Sequence, residues 1–239
     1  MVAERIRAVL FDFHNTLGFD IDPRDAVAAR VLSEFGYVLD PALVRDAQAR
    51  AFGRVDVAEG IDHRAHSGSR EAYTAYLLQL ETPWLLQLGV DPRHPGLFSR
   101  LADEWDSPDR IRLFDDTIPA LTELRDAGYR LGVVSNWSWG LHELLAINGI
   151  APLLDVTVGS ARAGYRKPHP AIYEQALRSL ALPAAAVLFV GDSPHADIAG
   201  PRAAGMTPVH IDRFDLYEPL AGVPRIRGLD ELPGLLKEL

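Results

Sequence analysis

The stretch Ala8-Val9-Leu10-Phe11-Asp12-Phe13, followed at once by His14-Asn15-Thr16-Leu17, decides the fold. A run this short and apolar reads as a strand buried on both faces, the kind found inside a parallel sheet. Its interruption by a carboxylate needs a reason, because a charge beside a buried strand is costly without one.

Working outward, the same texture returns four times, at 131–135 (LGVVS), 156–158, 187–190 (VLFV) and 208–211. Amphipathic segments alternate with these runs. Residues 117–127 carry Ile118, Leu121 and Leu124 on one stripe and stop at Gly128; 141–148 stop at Gly149; 169–181 open with Pro170 in the first turn. Glycine just past the end and proline just inside the start are helix boundaries. Strand and helix in alternation predict an α/β fold, a doubly wound parallel sheet with right-handed crossovers. Residues 18–112 show no comparable strand and offer helical patches at 26–35, 42–52, 70–80 and 96–105 instead. The expected organisation is therefore a core of residues 1–17 and 113–239, with a helical insertion at 18–112.

Composition narrows the function. The 239 residues hold 33 acidic and 24 basic side chains, a net charge of −9, which argues against non-specific nucleic-acid binding. An anionic substrate is still possible, since a site can be locally positive. With no cysteine, a disulfide scaffold, a thiol nucleophile and a cysteine zinc site are excluded. No window reaches the ~18 apolar residues of a membrane helix, and the N-terminal apolar run is too short for a leader. A soluble, cytoplasmic protein is expected.

In a doubly wound sheet, ligands sit at the carboxyl ends of the strands. There the sequence puts Asp12, His14, Asn15 and Thr16 after the first strand, Ser135 and Asn136 after the second, and Gly191, Asp192 and Ser193 after the fourth, with Asp197 beyond. Lys167, one of only two lysines, precedes Pro168. Carboxylates that converge repel unless a cation lies between them, and oxygen donors suit Mg²⁺. Mg²⁺ beside a lysine makes a phosphate site.

Asp12-x-x-x-Thr16-Leu17, Ser135-Asn136, Lys167-Pro168 and Gly191-Asp192-x-x-x-x-Asp197, in that order, resemble the four motifs of the haloacid dehalogenase superfamily. The insertion has the position of that family's C1-type helical cap on its Rossmann-like core. The resemblance implies a Mg²⁺-dependent hydrolase, foremost a phosphatase of a small phosphorylated metabolite. Asp12 would be the nucleophile that forms an aspartyl-phosphate. Ser135 would bind the transferring phosphoryl group with the Asn136 amide nearby, and Lys167 would neutralise nucleophile and phosphate. Asp12, Asp192 and the backbone carbonyl of His14 would hold the metal, with Asp197 supporting that shell.

His14 departs from the pattern, because the family's phosphatases usually carry Asp there as acid and base. Imidazole can do both jobs, as its ordinary pKa lies near neutrality. Two rivals follow. A metal-free 2-haloacid dehalogenase also lacks that Asp, but Asp192 would repel its carboxylate substrate. A degenerate, non-catalytic binding protein is favoured by His14 alone. A phosphonatase needs a cap lysine, and residues 18–112 contain none.

Other features read more plainly. Ser135-Asn136 could form a turn and Asp197 could cap a helix. Trp137 and Trp139 fit either a cleft or core packing. His63-Arg64-Ala65-His66 reads as a solvated loop rather than a zinc shell. Gly159-x-x-x-x-Gly164 continues as Tyr165-Arg166, not Lys-Ser, and is no P-loop.

Overall fold

A computed structural model describes residues 5–52 and 62–239 of the chain. Its centre is a six-stranded, wholly parallel sheet with β1 (Ala8–Phe11), β4 (Arg130–Ser135), β5 (Val156–Gly159), β6 (Val187–Gly191), β7 (Thr207–Ile211) and β8 (Arg225–Ile226). The spatial order is β5-β4-β1-β6-β7-β8. The chain thus fills one side of β1 before crossing to the other, which makes the end of β1 a topological switch point. Ligands bind at such a point.

The strands are apolar on both parities because both faces are covered. Val9, Phe11 and Phe13 join Leu131, Val133, Leu188 and Val190 in one core cluster. Ala8 and Leu10, on the alternate parity, join Val134, Val187 and Phe189 in another. Helices α5 (Thr117–Asp126), α6 (Leu141–Ile147) and α8 (Pro170–Leu180) supply the covering layers. The α5 stripe differs from expectation: Ile118 is exposed, and Ala120 with Leu121 and Leu124 faces the core.

Residues 18–112 are not strand-free. Gly18–Asp20 (β2) and Ile111–Leu113 (β3) pair antiparallel at the two ends of the segment. Strands of three residues carry too little period-2 pattern to be read from sequence. Between them lie α1 (Arg24–Glu34), α2 (Pro41–Phe52), α3 (Arg70–Gln87) and α4 (Leu97–Asp106). They bury Val31, Leu32, Val44, Trp84, Leu85 and Leu101 in a cluster of their own. Helix α3 runs past the expected stop at Leu80 and through Pro83. Complete burial of Trp84 and Leu85 outweighs the cost of the proline there. The two-residue edge strand β8 also escaped the sequence pattern.

His63 is not in a solvated loop. It is buried, and its Nε2 lies 2.9 Å from the Ser160 carbonyl oxygen while its backbone N–H donates to Gly164 O at 2.8 Å. An antiparallel bridge between Asp62 and Tyr165 adjoins these bonds. The helical segment is therefore strapped to the loop that carries Lys167. Among the described residues no helix is long and apolar enough to cross a membrane.

Candidate active site

Asp12 follows β1 directly, its N–H held by Val190 O at 2.9 Å, so its carboxylate stands at the switch point. Asp192 follows the adjacent β6 directly, and Asp197 comes back from the wide helical turn Pro194–Ala199. Gly191 makes that return possible, since a Cβ there would stand 2.5 Å from Asp197 Cβ. One carboxylate oxygen from each of Asp12, Asp192 and Asp197 falls within 4.8 Å of the others.

Lys167 is buried beneath them. Its Nζ lies 2.6 Å from Asp12 Oδ1 and 2.6 Å from Asp197 Oδ1, and 5.3 Å from the Phe189 ring centroid. Burial works against the ammonium charge, but Asp12 and Asp197 outweigh it and raise the Lys167 pKa. Burial likewise pushes the Asp197 carboxyl up, with Lys167 pulling it back. Asp192 is pushed up to about 6, by burial first and by the Asp12 charge second. Buried charges of this density destabilise a fold more often than they stabilise it, so their presence points to chemistry.

Asp197 is not the cap of its helical turn. Ser193 Oγ caps it by accepting from Ala196 N at 3.2 Å, while Asp197 Oδ2 accepts from Ser193 N at 3.0 Å. Ser135 is buried at the carboxyl end of β4. Asn136 does something the sequence did not reveal. Its Oδ1 accepts from Lys167 N at 2.7 Å and its Nδ2 donates to Lys167 O at 3.0 Å. The amide therefore holds the lysine loop. Asn15, at a left-handed φ of 57°, donates its side-chain amide to Asp192 Oδ2 at 3.2 Å. Nothing in the spacing singled it out, since its partner is 177 residues away.

The carboxylate partner of His14 lies outside the Asp12, Asp192 and Asp197 cluster. Its Nε2 lies 3.5 Å from Asp20 Oδ2, and its side chain is 41% exposed. Burial lowers its pKa, yet Asp20 foremost, with Asp12 and Asp192, outweighs burial and raises it. Asp20 in turn donates nothing and accepts from Arg110 Nη2 at 2.9 Å. His14 and Asn136 form one side of a cavity of about 460 Å³ whose opposite walls come from α1, α3 and α4. Trp137 and Trp139 both line it, together with Tyr73 and Trp105, while Trp137 also packs on Phe13 of the core and Trp139 on Tyr73.

The donor set suits a hard divalent cation, being carboxylate oxygens that converge without enough positive charge among them. Among the described residues, no hydrogen bond ends on the His14 carbonyl oxygen, which leaves that atom open to a cation.

The family model of a haloacid dehalogenase-like hydrolase matches residues 6–205. A curated relative, glyceraldehyde 3-phosphate phosphatase of Methanothermobacter thermautotrophicus, is 29% identical over 87% of this chain and 86% of its own. Among solved structures, the HAD-hydrolase YfnB of Bacillus subtilis, bound to magnesium, is similar at TM-score 0.72 and 21% identity, covering 98% of this chain and 100% of that one. The L-2-haloacid dehalogenase of Xanthobacter autotrophicus is similar at TM-score 0.69 and 20% identity, covering 98% and 99%. The last two are likenesses of fold. The four motifs, their assembly at one sheet edge and the family match together make this chain a haloacid dehalogenase-like hydrolase.

Proposed function

We propose that the protein is a Mg²⁺-dependent phosphatase of a small phosphate monoester, working through an aspartyl-phosphate on Asp12. The observation that carries this reading is the buried Lys167 ammonium bound to Asp12 within the Asp12, Asp192 and Asp197 cluster. A carboxylate attacks an anionic phosphate only where cations screen the repulsion. The phosphatase named among the relatives is in keeping with it.

Asp12, Asp192 and the His14 carbonyl would hold the Mg²⁺, with Asp197 supporting them through Lys167. When bound, the metal screens charge on nucleophile and phosphate. The Asp12 carboxylate bonds to phosphorus as the bond to the ester oxygen breaks. His14 gives a proton to the departing alkoxide, then takes one from the water that hydrolyses phospho-Asp12. Ser135 donates to the phosphoryl oxygens. Asn136 acts by fixing Lys167 in place. Residues 18–112 act as a cap of the C1 type, closing on the leaving group and keeping water out.

The test is a screen of phosphorylated metabolites with and without Mg²⁺, from pH 5 to 9. Turnover that needs Mg²⁺ and vanishes in Asp12→Asn is the expected result. The histidine at position 14, where the family's phosphatases usually carry aspartate, favours a second reading, a 2-haloacid dehalogenase, which predicts metal-independent halide release from 2-haloacids.

A further inference from the structure

Six charged side chains line the cavity beside His14 and Asn136: Asp20, Glu81, Asp106, Arg24, Arg110 and Arg166. Five of them are matched within the protein. Arg24 binds Glu81 at 2.8 Å, Arg110 binds Asp20 at 2.9 Å, and Asp106 binds Arg70 at 2.6 Å. Arg166 is different. Among the described residues its side chain has no hydrogen bond and no ion pair, although its charge is felt by Tyr73, Tyr76 and Glu81 across the cavity.

The position of this cation is as informative as its isolation. Arg166 and Lys167 are consecutive on one loop, yet Lys167 runs under Asp12 while Arg166 lines the cavity. The loop is held on both sides, by Asn136 at Lys167 and by the Asp62 bridge at Tyr165. It thereby presents one cation to the reacting phosphoryl group and a second to the space where the leaving group lies. That space is walled by Tyr73, Trp105, Trp137 and Trp139, and its carboxylates Glu81, Asp106 and Asp20 are already bound to Arg24, Arg70 and Arg110. A half-buried guanidinium among such walls is poorly solvated, and an anion that reaches it gains charge-assisted, two-pronged hydrogen bonds. A volume of about 460 Å³ accommodates a small metabolite with room for that second group.

We infer that Arg166 is a specificity-determining residue that binds a second anionic group, so that the substrate is a phosphate monoester whose leaving group carries a carboxylate or another phosphate. The inference rests on the phosphatase reading and adds the substrate class to it.

Matched esters test it. One pair is 2-phosphoglycolate and 2-hydroxyethyl phosphate; the other is 1,3-propanediol bisphosphate and 3-hydroxypropyl phosphate. With Mg²⁺, the wild-type protein should favour the doubly anionic member of at least one pair by about ten- to a hundredfold in kcat/KM. The favoured pair identifies carboxylate or phosphate. Arg166→Gln should bring that ratio close to one, and Arg166→Lys should keep part of it. Among the described residues Arg166 has no side-chain partner to lose, so both variants should unfold at the wild-type midpoint. A wild-type ratio near one in both pairs overturns the inference and leaves the phosphatase reading standing, as does a ratio that Arg166→Gln leaves unchanged. Failure to hydrolyse any ester overturns both.

Discussion

Asn136 clasps Lys167 by both of its backbone polar groups, accepting from the N–H at 2.7 Å and donating to the carbonyl at 3.0 Å. The clasp joins the end of β4 to the loop that places the lysine under Asp12. Truncating Asn136 to Ala should therefore leave two polar backbone groups without their partner and cost about 1–3 kcal/mol of stability. It should also lower kcat more than it raises KM, because the lysine loses its position. Unfolding curves and steady-state kinetics on one variant check both. A KM effect alone would instead make Asn136 a substrate ligand.

Asp12→Asn should abolish turnover with the fold intact, as the amide keeps the shape of the carboxylate but is no nucleophile. Residual activity above a few per cent of wild type would remove the covalent route.

Asp192→Ala should sharply raise the Mg²⁺ concentration needed for half-maximal rate, or abolish the rate. The variant deletes one of few charged oxygens available to a hard cation. Activity titrations against Mg²⁺ measure this, and an unshifted curve would put the metal elsewhere.

His14→Ala should slow hydrolysis of alkyl phosphates by roughly 10²–10⁴-fold, because a poor leaving group must be protonated as it departs. It should scarcely affect p-nitrophenyl phosphate, whose leaving group needs little protonation. His14→Asp should restore the alkyl-ester rate. Equal losses on both ester classes would give His14 a structural or metal-binding role.

The fifth prediction concerns stability away from the site. Asp212 is buried, and although burial opposes its charge, the N–H groups of Leu216 and Tyr217, at 2.9 and 3.1 Å, and the Arg225 guanidinium lower its pKa. A carboxyl whose pKa is lower when folded stabilises the fold above its unfolded value of about 3.9 and loses that contribution as pH falls through the folded value. Asp212→Asn should thus be destabilised at pH 7, and the gap to wild type should narrow below about pH 4. Urea unfolding at both pH values reads it, and a constant gap would mean that shape rather than charge matters.

The order of the five longer sheet strands and the helices between them was legible because a parallel sheet covered on both faces demands short apolar runs, as 8–11 and 187–190 show. Asp12, Ser135 and Asp192 were legible because strand ends are where such a sheet exposes chemistry, and Lys167 because it is one of only two lysines and precedes Pro168. Pairings over long sequence separations were not. The strap from His63 to Ser160, the Asn15 amide on Asp192 and the Asn136 clasp each join residues that only the fold brings together. Trp137 and Trp139 fitted cleft or packing in the sequence, and the fold gives them both: each packs on a hydrophobic cluster and lines the cavity. Arg166 shows the division most clearly. As one of 22 arginines it carried no signal; its meaning comes from the pairing of every other charge around the cavity. Sequence determined which chemical groups the sheet edge would present, since local apolar pattern sets where strands stop. Tertiary structure alone decided which charges are neutralised and which remain for a ligand, since that balance is a sum over groups distant along the chain.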